Sequence, residues 1–147
     1  MPDNKIKILL VDSDENMRIF FRDVFWIHRL TDRCDLEMAD NLENARKAIG
    51  NLEVKPHYIF MDVVMAGNVK GENVTSSKIG LEFLKEIKEN PELSGTKVIV
   101  FSFNIKKDVL DKVKKLGIEE YIEKQNNLPR DIVDKFEKIY AKYDLNR

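Results

Sequence analysis

Cysteine is all but missing: Cys34 is the single one in 147 residues. One thiol makes neither an intrachain disulfide nor a multi-cysteine metal site, and its place in a predicted strand makes it buried and inert. Long hydrophobic runs are missing as well. No segment approaches the roughly 20 apolar residues of a membrane-spanning helix, so no membrane partner is expected. The opening Met1-Pro2-Asp3-Asn4-Lys5 is polar and lacks a signal peptide's apolar core, and the expected location is cytoplasmic. Neither sign of charge prevails. The 25 basic and 26 acidic residues leave a formal net charge of −1, which gives no electrostatic footprint for nucleic acid. What remains is an ordinary globular composition, 43% hydrophobic, too apolar for disorder. The length suits one well-buried core and is short for two. A single domain is expected over 1–147, with its core at about 5–143 and no effector domain.

The chain is organised around Tyr58-Ile59-Phe60-Met61-Asp62. Four apolar residues bounded by polar ones read as a strand buried on both faces of a parallel sheet. Asp62 then stands at the carboxyl end of that strand, the edge where open α/β sheets bind ligands. A carboxylate there requires compensation by a metal ion or a lysine.

The remaining elements follow in order. Ile6–Val11 is a first strand, and Ser13 or Asp14 caps the helix after it. On that helix Met17, Phe20, Phe21, Val24, Phe25 and His28 share a face, with His28 as a packed or boundary histidine. Trp26 falls off the stripe and is expected to pack at the helix end. Cys34–Ala39 is a second strand, and Leu42, Ala45, Ala48, Ile49 and Leu52 face inward on a second helix that Pro56 ends. Gly67 to Gly80 is polar, without periodicity, and reads as an unusually long loop. It is either a tolerated insertion or a functional segment beside Asp62 that gates access to it. Leu81, Leu84 and Ile87 define a third helix. Lys97–Phe101 is a fourth strand ending at Ser102. Ile105, Val109, Val113 and Leu116 define a fourth helix stopped by Gly117. Ile118–Ile122 is a fifth strand ending at Glu123-Lys124. A last helix follows Pro129, with Ile132, Val133, Phe136, Ile139 and Tyr140 inward. Five strands alternating with five helices predict an α/β fold, a doubly wound parallel sheet covered on both faces.

Such a sheet gathers polar residues at one edge. Strand one contributes Asp12, with Ser13 and Asp14 beside it. Strand three contributes Asp62, strand four Ser102 and strand five Lys124. Carboxylates without cysteine suit a hard cation such as Mg²⁺. A metal ion with an ammonium and a hydroxyl suits a phosphoryl group, and a carboxylate in that setting is a phosphoryl acceptor.

The chain resembles a two-component response-regulator receiver domain over nearly its whole length. The matching pieces are Ile8-Leu9-Leu10-Val11-Asp12, Tyr58-Ile59-Phe60-Met61-Asp62, Gly80-Leu81-Glu82-Phe83-Leu84, Val98-Ile99-Val100-Phe101-Ser102 and Tyr121-Ile122-Glu123-Lys124. The resemblance implies a flavodoxin-like, CheY-like five-stranded sheet in the order 2-1-3-4-5. It implies phosphorylation of Asp62 by a histidine kinase or phosphotransfer protein. It makes Ser102 the switch hydroxyl, Tyr121 the switch aromatic and Lys124 the phosphate-contacting lysine. Mg²⁺ would be held by Asp12, Asp62, the backbone carbonyl of Val64 and Ser13 or Asp14. Phosphorylation would draw in the Ser102 hydroxyl, with Tyr121 following. Output would pass to a protein target or a homodimer through the fourth helix, fifth strand and fifth helix. Four positions depart from the family pattern: Ser13 replaces the second acid after strand one, Ala66 and Gln125 replace prolines, and Phe103 replaces a small residue. The loop before Gly80 exceeds the family norm by about ten residues.

A signalling domain rather than an enzyme is the first reading. A phosphorylation-independent pseudo-receiver that serves as a binding module is the second, favoured by Ser13 and Phe103. A haloacid-dehalogenase-like phosphatase with Asp12 as nucleophile and Asp14 as acid/base is the third. It leaves Asp62 without a role and lacks a late pair of acidic metal ligands. A flavodoxin-like FMN binder is disfavoured because the loop after strand one has no hydroxyl-rich phosphate cradle.

Overall fold

Strand and helix alternate, apart from one inserted hairpin, in the computed structural model, which describes residues 5–51 and 53–144. The order is β1 (Ile6–Val11), α1 (Glu15–Ile27), β2 (Cys34–Ala39), α2 (Leu42–Asn51), β3 (Tyr58–Met61), β4 (Met65–Val69), β5 (Glu72–Ser76) and α3 (Ser77–Glu89), then β6 (Lys97–Ser102), α4 (Lys107–Lys115), β7 (Glu120–Glu123) and α5 (Pro129–Asp144). Five strands form one parallel sheet in the order β2-β1-β3-β6-β7. Counting only the strands of that sheet, this is the expected order 2-1-3-4-5. Among the described residues no helix is long and apolar enough to cross a membrane.

The three central strands, β1, β3 and β6, are largely apolar on both faces because helices cover both. Leu9, Val11, Ile59, Met61, Val98 and Val100 point to one layer, where α2, α3 and α4 add Ala45, Phe83 and Val113. Leu10, Phe60, Ile99 and Phe101 alternate to the other layer, under α1 and α5. That second layer is aromatic. Phe21 stacks on Phe25 at 4.7 Å and meets Phe60 edge-on at 4.8 Å, and Phe136 meets Tyr58 at 5.2 Å. β3 lies between β1 and β6, so all four of its residues are buried.

Cys34 is buried, and its thiol is pushed up to about 11 by that burial, in keeping with an inert side chain. His28 sits half-buried at the end of α1. Trp26 does not pack there: it is 71% exposed. The buried face of α1 is Phe21, Val24 and Phe25, and the residue after Phe25 is rotated about 100° away from the sheet. β7 starts at Glu120, two residues later than the apolar pattern suggested. Leu52, expected to face inward, lies outside the described residues, as do 1–4 and 145–147.

The largest correction concerns 67–80. This segment is not one irregular loop. β4 and β5 pair as an antiparallel hairpin, Met65 opposite Ser76 through Val69 opposite Glu72, and α3 begins at Ser77, four residues before Leu81. The turn is Lys70-Gly71, with φ of 52° and 83°, left-handed at both central positions as a two-residue hairpin turn requires. Asn68 Oδ1 accepts the Gly71 N–H at 2.9 Å and locks it. Met65 and Ile79 are buried and Val74 packs on the core, so the segment is anchored despite its polarity. Gly67 permits the close pass of Ile79, whose Cδ1 lies 2.8 Å from where a Cβ would stand.

Candidate functional site

Parallel strands end on one edge, and the backbone ladder carries on one residue past them. The N–H groups of Asp12, Asp62 and Lys124 each donate to the neighbouring strand, to Ala39, Val11 and Ser102 carbonyls at 3.0, 3.0 and 2.9 Å. These bonds fix the three side chains in register, and Ser102 closes β6 beside them. Lys124 Nζ lies 2.7 Å from Asp12 Oδ2 and 2.8 Å from Asp62 Oδ2. Ser102 Oγ donates to Asp62 Oδ1 at 2.6 Å and accepts the Val63 N–H at 2.9 Å. The Val64 N–H also donates to Asp62 Oδ1, at 2.9 Å. The four side chains the sequence pointed to are thus one contact network.

Burial separates the two carboxylates. The side chains of Asp12 and Lys124 are each 1% exposed, and that of Asp62 is 11% exposed. Burial holds the Asp12 carboxyl above its ordinary range, with Lys124 pulling the other way. Asp12 Oδ1 accepts the Asp14 N–H, whereas Oδ2 has the ion-pair contact with Lys124 and no aligned hydrogen bond among the described residues. Asp14 caps α1, accepting the Asn16 N–H at 2.9 Å. Ser13 is exposed. Tyr121 stands apart from the carboxylates: its hydroxyl donates to the Phe103 carbonyl at 3.2 Å and accepts the Ile105 N–H at 3.4 Å. Phe103 is exposed, its ring centre 5.2 Å from Lys124 Nζ.

The model of the response regulator receiver domain family matches residues 8–137. The chain belongs to that family. No curated protein matches this receiver domain; solved structures do. A CheY-like receiver from Methanospirillum hungatei is 17% identical with a TM-score of 0.74, over 97% of this chain and 99% of that one. The chemotaxis response regulator CheY4 of Vibrio cholerae is 17% identical with a TM-score of 0.70, over 92% and 98%. A phosphorylated cyanobacterial phytochrome response regulator, RcpA, is 22% identical with a TM-score of 0.68, over 89% of each chain. At these identities the likeness shows the fold.

Receiver domains typically bind Mg²⁺ at the acidic pocket, and the residues present here fit such an ion. The donors are all oxygen, and the buried Asp12 Oδ2 has acceptor capacity to spare. Among the described residues no group of three or more His, Cys, Asp or Glu side chains is placed to hold a metal. Asp14 has one oxygen committed to its cap.

Several groups at the site were not singled out from the sequence. Arg18 Nη1 donates to the Asp12 carbonyl at 2.9 Å, tying α1 to the end of β1. The Val63 and Val64 amides orient Ser102 and Asp62. An Asp two residues before a free N–H is the signal for such a turn. Gly80, matched only as part of a motif, holds α3 against this turn: a Cβ on it would lie 1.8 Å from the Val63 carbonyl oxygen.

Proposed function

We propose that this receiver accepts a phosphoryl group on Asp62 from a histidine kinase or phosphotransfer protein, with Mg²⁺ bound, and signals by protein contact. The observation that carries this reading is the asymmetry of the carboxylate pair. Asp12 is sealed beneath Lys124, while Asp62 has access to solvent and is flanked by a hydroxyl and an ammonium. An Asp62 oxygen would attack phosphorus as the bond from phosphorus to the donor nitrogen breaks, and the nitrogen leaves with the electron pair. Lys124 and Ser102 would then hold phosphoryl oxygens, exchanging their present contacts with the carboxylate for contacts with the new group. Asp12, Asp62, the Val64 carbonyl and Ser13 or Asp14 would hold Mg²⁺, which when bound would offset the charge of that group. Acetyl phosphate, or beryllofluoride as a mimic, should modify or occupy wild-type protein in the presence of Mg²⁺. Asp62→Asn should abolish this and Asp14→Asn should reduce it less. Retention of the adduct in Asp62→Asn would remove the proposal.

Ser13 sets the metal affinity in this reading. A hydroxyl in place of a carboxylate removes a charge and a strong ligand, so Ser13→Asp should tighten Mg²⁺ binding about tenfold. Equal affinities of the two proteins in a calorimetric titration would contradict this.

The output step also takes a specific form. Ser102 Oγ already rests on Asp62, so phosphorylation exchanges its acceptor rather than drawing it from a distance. The strain would pass through β6 to the 103–105 segment that holds the Tyr121 hydroxyl, and so to the surface of α4, β7 and α5. A protein target or a second copy would read that surface. Beryllofluoride should shift the amide NMR signals of residues 105–140. Unchanged signals there, with the mimic bound, would instead favour a constitutive binding module.

A further inference from the structure

Among the described residues β4 and β5 form a two-stranded sheet, so each has an edge without a strand partner there. In a hairpin with a two-residue turn, the residues flanking the turn exchange both hydrogen bonds, and bonded and non-bonded pairs then alternate. Val69–Glu72, Gly67–Val74 and Met65–Ser76 are the bonded pairs; Ala66–Thr75 and Asn68–Asn73 are not. The N–H and C=O groups of Ala66 and Asn68 therefore point away from β5, and among the described residues no backbone group outside the hairpin bonds them. Residues 66–69 line a groove of about 470 Å³ together with Asn41 and with Leu42, Glu43 and Arg46 of α2.

The groove has a sign. Glu43 and Glu82 line it, both exposed. Glu82 has no ion pair among the described residues, and Glu43 has only a 3.4 Å surface contact with Lys47. The positive charge of Arg46 is taken up by Glu86 at 2.9 Å. Buried Leu42 and Ile79 add an apolar part to the lining. We infer that the β4 edge takes an extended peptide segment of a partner protein as a third strand, with a basic side chain of that segment set toward Glu43 and Glu82. Main-chain bonds to Ala66 and Asn68 supply affinity, and the acidic rim supplies selectivity. A second copy of this chain is the poorer occupant, because edge-to-edge pairing sets the acidic rim against itself. The inference goes beyond the proposed phosphorylation and does not require it.

The test uses two capped pentapeptides on the full chain, Thr-Val-Lys-Val-Thr and Thr-Val-Glu-Val-Thr, followed by amide NMR. The lysine peptide should shift the signals of Ala66, Asn68 and the first turn of α2, and bind on the order of tenfold tighter than the glutamate peptide. Methylation of its alternate backbone nitrogens should abolish the shifts. Ala66→Pro removes an outward N–H at an edge position that tolerates proline and should weaken binding. Glu82→Lys should erase or reverse the lysine preference. Both variants should still be labelled at Asp62, which separates failure of this inference from failure of the phosphoacceptor reading. Absence of shifts at Ala66 and Asn68, equal binding of the two peptides, or full binding of the methylated peptide would overturn it.

Discussion

Lys124→Met loses about 3–5 kcal/mol of folding free energy at neutral pH, the usual cost of removing one partner from a buried ion pair. The side chain is 1% exposed and serves two carboxylates at 2.7 and 2.8 Å. Its removal leaves Asp12, equally buried, with an uncompensated charge. The loss depends on pH with a definite sign. Burial already raises the Asp12 carboxyl, and Lys124 is the chief influence lowering it. Without Lys124 the folded-state value rises further above the unfolded one. Such a group favours the folded state while protonated and costs stability as pH rises through its folded value. The deficit of Lys124→Met is therefore smallest in acid and grows toward neutrality. Adding Asp12→Asn to it should recover much of the loss, since the unpaired charge is gone. Denaturant melts at several pH values check both statements. A deficit independent of pH and not relieved by Asp12→Asn would mean that Lys124 acts through packing of its stem alone.

Gly80→Ala is the second large effect. The new Cβ would meet Val63 O at 1.8 Å, its carbonyl carbon at 2.4 Å and its Cα at 2.5 Å. All three are backbone atoms, so no rotamer change relieves the contact. Either α3 retreats from the sheet or the 63–64 turn moves. The expected loss lies at or above the upper end of the roughly 1–3 kcal/mol typical of overpacking, well beyond the roughly 1 kcal/mol that alanine gains over glycine in a helix. The same displacement moves the amides that bond Ser102 Oγ and Asp62 Oδ1, so phosphoryl acceptance should fall as well. Gly50→Ala is the control. It also sits in a helix, with nothing within 4 Å of its Cβ position, and should gain stability by about 0.5–1 kcal/mol. Equal melting behaviour of the two variants would refute the close-approach argument.

These two residues mark the boundary of what the sequence made legible. Lys124 was readable because a parallel sheet delivers every strand end to one edge, and a polar residue closing an apolar run announces itself. Asp12, Asp62 and Ser102 were readable for the same reason. The Val63 and Val64 amides were not, because backbone donors have no residue type. Arg18 was hidden because it reaches a carbonyl rather than a charge. The hairpin was missed because β4 and β5 carry few β-branched or aromatic residues, and because the first left-handed position of its turn is held by Lys70, a residue without turn preference. Trp26 was misplaced because a large apolar side chain was assigned a packing site that the geometry of α1 turns away from the sheet.

The most direct test of the phosphoacceptor assignment is to locate the phosphoaspartate itself. Wild-type protein is incubated with acetyl phosphate and Mg²⁺, the acyl phosphate is reduced with borohydride to homoserine, and the modified residue is read by peptide mass spectrometry. The account predicts conversion at Asp62 alone. Conversion at Asp12 would contradict it and would make the buried carboxylate the nucleophile of a phosphatase-like reaction.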